Sequence, residues 1–275
     1  MSEGMIIPEK KPFFVSKTTK DCLESAAKMS QIRPQNILVK GMQGCGKSEL
    51  AEQFAARLQR PFAGFQVGLL AESGQLFGQQ VLRNNNVHYE KFLFTDAIQV
   101  KDAVILLDEI NRAENPKALN ALFSVLDDRR TIWIDEVHKL IPVAPGAIFF
   151  ATINEGADFT GTDTLDAAIS DRFFVVEMGV LPEEQERELL VQRTGIGMDE
   201  ATNLVSVFNG IRRGDVQVST RKALTVAELI QTGLDLREAF IFTLGINRDE
   251  LEKILISIHL TTEEEMGTTE EWTLL

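Results

Sequence analysis

The sequence predicts an α/β fold with a parallel sheet in its first two thirds and a separate all-helical subdomain after it. Three observations carry this prediction. Residues 36–58 form a short apolar run, a glycine-rich loop and an amphipathic helix. A second apolar run, 103–107, ends in two carboxylates, which is typical of a buried parallel strand that ends at a site. From about residue 181 onward, strand patterns disappear and helical periodicity replaces them.

The loop at 41–48 is the most informative stretch of the chain. It spells Gly-x-x-x-x-Gly-Lys-Ser between a predicted strand at 37–39 and a predicted helix, and this context distinguishes a phosphate-binding loop from a chance match. Glycines let the backbone turn its N–H groups toward phosphate oxygens, and the helix N-terminus adds partial positive charge. We therefore expect the whole loop to hold the phosphates of a nucleotide: Gly41, Met42, Gln43, Gly44, Cys45, Gly46, Lys47 and Ser48.

Four side chains have the chemistry of a Mg²⁺-dependent phosphate site. Lys47 has the reach for the β and γ phosphates, and the Ser48 hydroxyl is a suitable Mg²⁺ ligand. Asp108 ends the second apolar run, and α/β sheets bind ligands beyond the carboxyl ends of their strands, so we expect it beside Ser48. Glu109 follows, where a carboxylate can polarise an attacking water. Alone, an apolar run before Asp-Glu is also common where a strand simply reaches solvent.

Two further polar residues follow predicted elements of the same sheet. Asn154 comes after an apolar strand at 147–152, where it can hydrogen-bond the γ-phosphate or the attacking water. The alternative is an ordinary turn asparagine. Arg172 follows a short predicted helix and is a candidate phosphate-sensing arginine. Its alternative is a salt bridge to Asp171 or another surface carboxylate.

The remaining segments set the predicted domain boundaries. Residues 1–12 are expected to form a loose arm, and the apolar patch 13–15 either packs on an adenine base or anchors that arm. β-Hairpins are predicted at 81–94 and 131–142, with asparagines 84–86 as turn residues of the first. We take 1–180 as the nucleotide-binding core, 181–260 as a helical lid and 261–275 as an acidic, disordered tail.

Composition narrows the classes of function. The chain has 28 Lys and Arg residues against 41 Asp and Glu, a net charge of −13. This balance disfavours nucleic acid as a partner, because nonspecific binding depends on cations that neutralise phosphates. Two cysteines exclude a disulfide framework, and the sequence has neither a secretory signal nor a run of membrane-spanning length. We expect a reducing, cytoplasmic setting and no membrane partner.

With these residues in hand, the chain resembles AAA+ ATPases of the MoxR family, especially the CbbQ/NorQ-like branch. The resemblance spans roughly residues 10 to 245, and the set of motifs together with both hairpins is specific to this group. The matching pieces are the loop at 41–48, Asp-Glu-Ile-Asn-Arg at 108–112, Asp-Asp-Arg-Arg at 127–130, Ala-Pro-Gly at 144–146, Asn154, Asp-Arg-Phe at 171–173 and Ser-Thr-Arg at 219–221.

The resemblance implies an αβα sandwich around a parallel five-stranded sheet, with β-hairpin inserts and a C-terminal all-helical lid. It implies ATP and Mg²⁺ as cofactors, with Ser48 and the Walker B Asp108 as metal ligands. It also implies a homo-oligomeric ring, usually hexameric, whose pore side carries both hairpins. A common partner in this family has a von Willebrand factor A domain. This chain lacks the Asp-x-Ser-x-Ser motif of that domain, so the partner would be a separate chain.

The resemblance also suggests roles for the catalytic candidates. Asn154 corresponds to sensor 1, Arg172 to the arginine finger of a neighbouring subunit, and Arg221 to sensor 2. With Lys47 and Glu109, these residues make up the predicted catalytic set.

Three functions stay open on the sequence. The favoured one is an ATP-hydrolysing ring that remodels a protein client; ATP is preferred because no Asn-Lys-x-Asp guanine motif occurs. A nucleic-acid motor is the first alternative, since Arg129, Arg130 and Lys139 offer a local basic spot, although the net charge argues against it. A small-molecule kinase is the second, although the predicted catalytic set favours water as the phosphate acceptor.

Overall fold

The computed structural model describes residues 4–70, 74–84, 86–112, 119–154, 170–213 and 218–256. Its contacts divide the chain into two compact units, with the boundary between Gly179 and Val180. The predicted tail at 261–275 lies outside the described residues. Among the helices of the described ranges, none is both long and apolar enough to cross a membrane.

The first unit alternates strands and helices along the chain, as the sequence predicts. Its strands are β1 (Gln35–Gly41), β2 (Phe62–Gln66), β3 (Gly78–Arg83), β4 (Asn86–Lys91), β5 (Val104–Asp108), β6 (Thr131–Ile134), β7 (Lys139–Pro142), β8 (Ile148–Asn154) and β9 (Phe174–Met178). Its helices are α1 (Lys17–Ser30), α2 (Lys47–Leu58), α3 (Gly74–Phe77), α4 (Leu93–Ala97) and α5 (Asn120–Leu126).

Within the described residues, five parallel strands form one sheet in the order β2-β5-β8-β1-β9. Every residue of β8 is buried, because both faces of the sheet are covered. Alternate residues of the central strands contribute to two different apolar cores, one on each face. Leu38, Ile105 and Phe149 belong to one core, and Ile37, Val104 and Phe150 to the other. This layered α/β arrangement confirms the predicted fold class.

The strand register brings the polar strand ends to one edge of the sheet. Gly41 at the end of β1 is aligned with Asn154 at the end of β8. Gln66 at the end of β2 is aligned with Asp108 at the end of β5. Because all these strands run in parallel, the glycine loop, Asp108 and Asn154 lie at the edge formed by the carboxyl ends of the strands.

Two antiparallel hairpins interrupt the α/β pattern, which confirms the predicted inserts. The first pairs β3 with β4, and the second pairs β6 with β7. The first begins at Gly78 and ends at Lys91, so the predicted range of 81–94 lies too far along the chain. Its predicted last residue, Phe94, belongs instead to α4 and is fully buried, because it packs against the rings of Phe65 and Phe77.

The amino-terminal arm is ordered against the first unit wherever the structure describes it, so the expectation of a loose arm is corrected for residues 4–12. The backbones of Ile6 and Phe62 exchange hydrogen bonds of 3.2 and 2.7 Å, and the Met5 side chain is buried. Further along, the Lys11 amide donates to Gln53 Oε1 at 2.8 Å. The physical reason is that β2 is an edge strand, whose unpaired backbone groups favour an added partner.

In its described residues, the second unit has helices as its regular secondary structure and no strands. It contains α6 (Glu183–Thr194), α7 (Met198–Arg213), α8 (Thr220–Gln231), α9 (Leu236–Leu244) and a helical stretch at 248–256. This last stretch begins with a reciprocal capping box, in which the Asn247 amide donates to Glu250 Oε2 and the Glu250 amide to Asn247 Oδ1, both at 2.9 Å. The described part of this unit agrees with the helical pattern predicted for 181–260, of which residues 257–260 lie outside the described residues.

Candidate functional site

The backbone of the glycine loop has positive φ angles at Gly41, Gly44 and Gly46, and two of these positions show why glycine is needed. Gly46 caps the start of α2 with a φ of 95°, a left-handed conformation that L side chains rarely adopt. Gly41 has a φ of 152°, and a Cβ there would lie 2.1 Å from the carbonyl oxygen of Met178. The chain can therefore make this tight turn from β1 into α2 only because both positions lack a side chain.

Lys47 begins helix α2 and is buried. Its Nζ donates to the carbonyl oxygens of Gly41 and Met42, both at 2.8 Å. The ammonium charge is thus held over the loop, close to the helix N-terminus. A cation and a positive helix end at one place favour an anionic group such as a phosphate.

Ser48 and Asp108 are brought together by the fold, 60 positions apart in sequence. Ser48 Oγ donates to the Asp108 carboxylate, at 2.8 Å from Oδ1 and 3.0 Å from Oδ2. Gln66, which is aligned with Asp108 in the sheet, donates to Oδ2 at 3.1 Å. Hydroxyl and carboxylate oxygens are the donor type that Mg²⁺ prefers. The residues present therefore fit a nucleotide with its Mg²⁺.

Glu109 has the most constrained backbone of this cluster, with a φ of 56° for a residue that is not glycine. Its carboxylate accepts from Asn154 Nδ2 at 2.9 Å and from Arg112 Nη1 at 3.2 Å. Strain of this kind is found at functional sites, where the surrounding structure holds it in place. The predicted base and the predicted sensor asparagine thus lie in direct contact.

Thr152 and Gln66 are members of the cluster that the sequence reasoning missed. The fully buried Thr152 hydroxyl donates to Asp108 Oδ1 and accepts from the Glu109 amide at 2.9 Å. It therefore orients both carboxylate residues at once. A threonine in a strand is ordinarily explained by β propensity. The position of Thr152 in the sequence could have indicated its role. It lies two residues before Asn154, near the end of β8, which is the strand beside β5.

Phe13 lies beside the loop. Its ring comes within 3.3 Å of the position that a Cβ on Gly46 would occupy. Its carbonyl oxygen accepts from Arg57 Nη2 at 3.5 Å, so this segment is also tied to α2. Both predicted uses of the apolar patch, contact with a base and anchoring of the arm, are compatible with this position.

Arg172 lies at the opposite edge of the sheet from the loop. It comes just before β9, whose first residue, Phe174, is aligned with Ile37, and its carbonyl oxygen accepts from Asn36 Nδ2 at 2.9 Å. Ile37 and Gly41 are four positions apart, about 13 Å along a strand. Its guanidinium lies 5.3 Å from the centre of the Phe123 ring. The structure therefore does not bring Arg172 to the cluster around Glu109.

Arg130, another arginine of the amino edge, is tied into the fold. Its Nη1 donates to Asn36 Oδ1 at 2.7 Å and its Nη2 to the Pro34 carbonyl oxygen at 2.9 Å. Burial lowers the pKa of Arg130 to about 10, an effect that the nearby Asp128 carboxylate opposes. The side chain remains charged at neutral pH, and its donors are engaged within the subunit.

We expect Arg130→Met to destabilise the first unit. The substitution leaves the acceptors of Pro34 and Asn36 without their donor, and a buried group that loses its partner costs roughly 1–3 kcal/mol. Denaturant unfolding followed by circular dichroism measures the change. Arg129→Met is the matched control, because the Arg129 side chain is 81% exposed. Equal stability of the two variants would contradict a structural role for Arg130.

Arg221, the predicted sensor 2 residue, lies in the second unit. It is in the first turn of α8, which begins at Thr220 after the N-cap Ser219. The structure thus places Arg221 at the start of a helix of the second unit, as the sequence predicts.

Comparisons with known proteins agree with this geometry. The family profile described as AAA domain (dynein-related subfamily) matches residues 36–173, and the one described as CbbQ/NirQ/NorQ C-terminal matches 186–247. BssE of Thauera aromatica, which is named as a candidate chaperone, is 47% identical over 269 residues, covering 96% of this chain and 94% of BssE. NorQ of Paracoccus denitrificans is 27% identical over 233 residues, covering 83% and 84%.

Solved structures give the fold by a separate comparison. A lysine-to-arginine mutant of Thermotoga maritima RuvB matches with a TM-score of 0.58 at 16% identity, over 92% of this chain and 80% of that one. A threonine-to-valine form of the same protein matches with a TM-score of 0.55 at 17% identity, over 92% and 72%. The glycine loop, the Ser48–Asp108 pair and both family matches lead to the same assignment. The chain therefore belongs to the AAA+ ATPases of the MoxR family, in its CbbQ/NorQ-like branch.

Proposed function

We propose that this chain forms a homo-oligomeric ring, hexameric in the simplest case, that hydrolyses Mg²⁺-ATP to remodel or activate a protein client. The observation that carries the proposal is the cluster of Ser48, Asp108, Glu109 and Asn154 at one edge of the sheet. A carboxylate in contact with a polar side chain, beside a phosphate loop, is the arrangement needed to direct water at a terminal phosphate.

Each residue of the cluster has a distinct task in this proposal. Lys47 binds the β and γ phosphates, and Ser48 and Asp108 hold Mg²⁺, which when bound neutralises charge on the phosphate oxygens. Glu109 accepts a proton from the attacking water, and Asn154 orients the reacting groups. Glu109 already accepts from Asn154 and Arg112, and its two carboxylate oxygens have further lone pairs with which to accept from water.

The position of Arg172 supports a role across the boundary between subunits. It lies at the amino edge, beside a polar cavity of about 480 Å³ that it lines with Asn36, Arg130 and Asp171. In a head-to-tail ring, one face of each subunit meets the opposite face of the next. An arginine on the face away from its own loop is suited to serve the neighbouring loop, where its planar, permanently charged fork can bind a phosphate.

Both hairpins expose apolar cross-strand pairs, and this supports a protein client. Leu82 and Val87 are 71% and 64% exposed, and Trp133 and Leu140 are 51% and 58% exposed. Exposed apolar pairs of this kind suit contact with another protein. We propose that they contact the client or a separate partner with a von Willebrand factor A domain. The candidate-chaperone name of the relative BssE agrees with this reading.

Replacing Trp133 and Leu140 together by Ser tests this part of the proposal. We expect ATP turnover near normal and capture of the partner reduced by at least about tenfold, since hot-spot residues contribute about 2 kcal/mol or more to binding. The capture uses tagged protein carrying Glu109→Gln in native cell extract, with mass spectrometry for a protein that has an Asp-x-Ser-x-Ser motif.

Ile32→Ser is the matched control, because Ile32 is 87% exposed and lies outside both hairpins. Equal capture by the hairpin variant and this control would contradict the hairpin assignment. Stimulation of ATP turnover by duplex DNA, without any protein partner, would favour the nucleic-acid alternative. A phosphorylated metabolite in place of free phosphate would favour a kinase.

A further inference from the structure

The second unit contains a carboxylate that is completely buried. Glu186, in the first turn of α6, has no exposed surface. Arg212 of α7 binds it with two hydrogen bonds, Nη1 to Oε2 at 2.7 Å and Nη2 to Oε1 at 2.8 Å. The hydroxyl of Thr220, in α8, donates to Oε1 at 2.9 Å. Acidic residues are almost never buried unless they are paired, and this one is paired with two different helices.

The same arginine also holds the chain on the other side of the N-cap of α8. Arg212 Nε donates to the carbonyl oxygen of Val218 at 2.9 Å. Val218 and Thr220 flank Ser219, which occupies the N-cap position of the helix without a side-chain capping hydrogen bond. The start of α8 is therefore hydrogen-bonded on both sides of its N-cap. The Arg212 guanidinium binds Val218, and the Glu186 carboxylate binds Thr220.

An apolar core also holds the second unit together. This core contains residues from α6, α7, α8 and α9, among them Leu190, Leu204, Phe208, Ala223 and Phe240. A buried ion pair is weak evidence for added stability, because desolvation offsets much of the attraction between the charges. What the network supplies is geometry, since directional hydrogen bonds fix the rotation and axial position of the first turn of α8. Arg221 is the next residue in that turn.

We infer that Glu186, Arg212 and Thr220 are positioning residues that set the placement of Arg221 for ATP hydrolysis. This inference deepens the proposed function, because it rests on ATP hydrolysis by this chain and on the sensor 2 role that the family resemblance implies for Arg221. A guanidinium that binds phosphate has to be held close to its productive geometry, and its own helix turn is what holds it. The apolar core alone would permit small rotations of α8, and these hydrogen bonds oppose them.

Thr220→Val is the variant that tests the inference, because it removes one hydroxyl at nearly constant volume and leaves the ion pair intact. Changing Glu186 or Arg212 instead would leave an uncompensated buried charge, which threatens the fold itself. We expect kcat for ATP to fall about tenfold, since a misplacement of about 1 Å can cost up to about 10²-fold. We expect Thr220→Ser, which keeps the hydroxyl, to restore the wild-type rate.

The decisive measurement is a double-mutant cycle with Arg221→Ala. If Thr220 acts through Arg221, Thr220→Val should lower kcat in the wild-type background and have no further effect once Arg221 is gone. Thr202→Val is the matched control, because the Thr202 hydroxyl bonds the Met198 carbonyl within α7. Thermal unfolding of each variant accompanies the kinetics, and we expect the folded state to persist in all of them.

The outcomes distinguish the positioning role of Thr220 from the role of Arg221 in ATP hydrolysis. An equal fall in kcat in both backgrounds, or no fall while Arg221→Ala is impaired, would overturn the positioning role. Normal turnover by Arg221→Ala would instead remove the sensor 2 role that the family resemblance implies for Arg221.

Discussion

Rings assembled from a mixture of Lys47→Ala and Arg172→Ala subunits should hydrolyse ATP, although each variant alone is nearly inactive. A subunit with an intact loop but no finger can receive Arg172 from a neighbour whose own loop is disabled. With random equal mixing, about a quarter of the interfaces pair the intact loop of an Arg172→Ala subunit with Arg172 of a Lys47→Ala subunit. Loss of an arginine finger lowers the rate by roughly 10³–10⁵, so recovery of even a few per cent of wild-type turnover is measurable above either variant alone.

The control for this experiment is a subunit that carries both substitutions. Mixed with Lys47→Ala, the double variant leaves every interface without a loop lysine, and no recovery should follow. Assembly is checked by native mass spectrometry, so that failure to mix is not mistaken for inactivity. An absence of recovery in rings shown to be mixed would mean that Arg172 acts within its own subunit or only in the fold. Arg112 and Arg130 would then be the next candidates to test, although both donate to groups of their own subunit in this structure.

Glu109→Gln should separate nucleotide binding from hydrolysis. Glutamine keeps the shape of the side chain and its contact with Asn154 but cannot accept a proton from water. We expect turnover to fall by roughly 10²–10⁴, the usual contribution of a general base, while the dissociation constant for Mg²⁺-ATP changes little. Calorimetry gives the affinity, and a phosphate-release assay gives the rate.

Asp108→Asn provides the contrast for this variant. Asp108 receives the hydrogen bonds of Ser48, Gln66 and Thr152 and is the proposed Mg²⁺ ligand. Its substitution should therefore weaken binding in the presence of Mg²⁺ as well as turnover. Normal hydrolysis by Glu109→Gln would place the base elsewhere. Weakened binding by both variants alike would mean that Glu109 holds the metal rather than the water.

The sequence predicts a feature accurately when the residues that form it are close together along the chain. The capping box of Asn247 and Glu250 joins residues three positions apart, so both of its hydrogen bonds belong to a local sequence pattern. The first hairpin was predicted as a type of element but was placed a few residues too late. Its end depends on the burial of Phe94 against Phe65 and Phe77, and no local pattern contains these contacts.

The sequence by itself determined the phosphate loop, the Asp108–Glu109 strand end and the change to a helical second unit, because each is written in residues that are neighbours along the chain. Only the tertiary structure decided that Thr152 bonds both Asp108 and the Glu109 amide, that Arg172 lies at the edge away from the loop, and that Glu186 is buried against Arg212. These facts depend on strand register and helix packing, which arise from many weak contacts between distant segments.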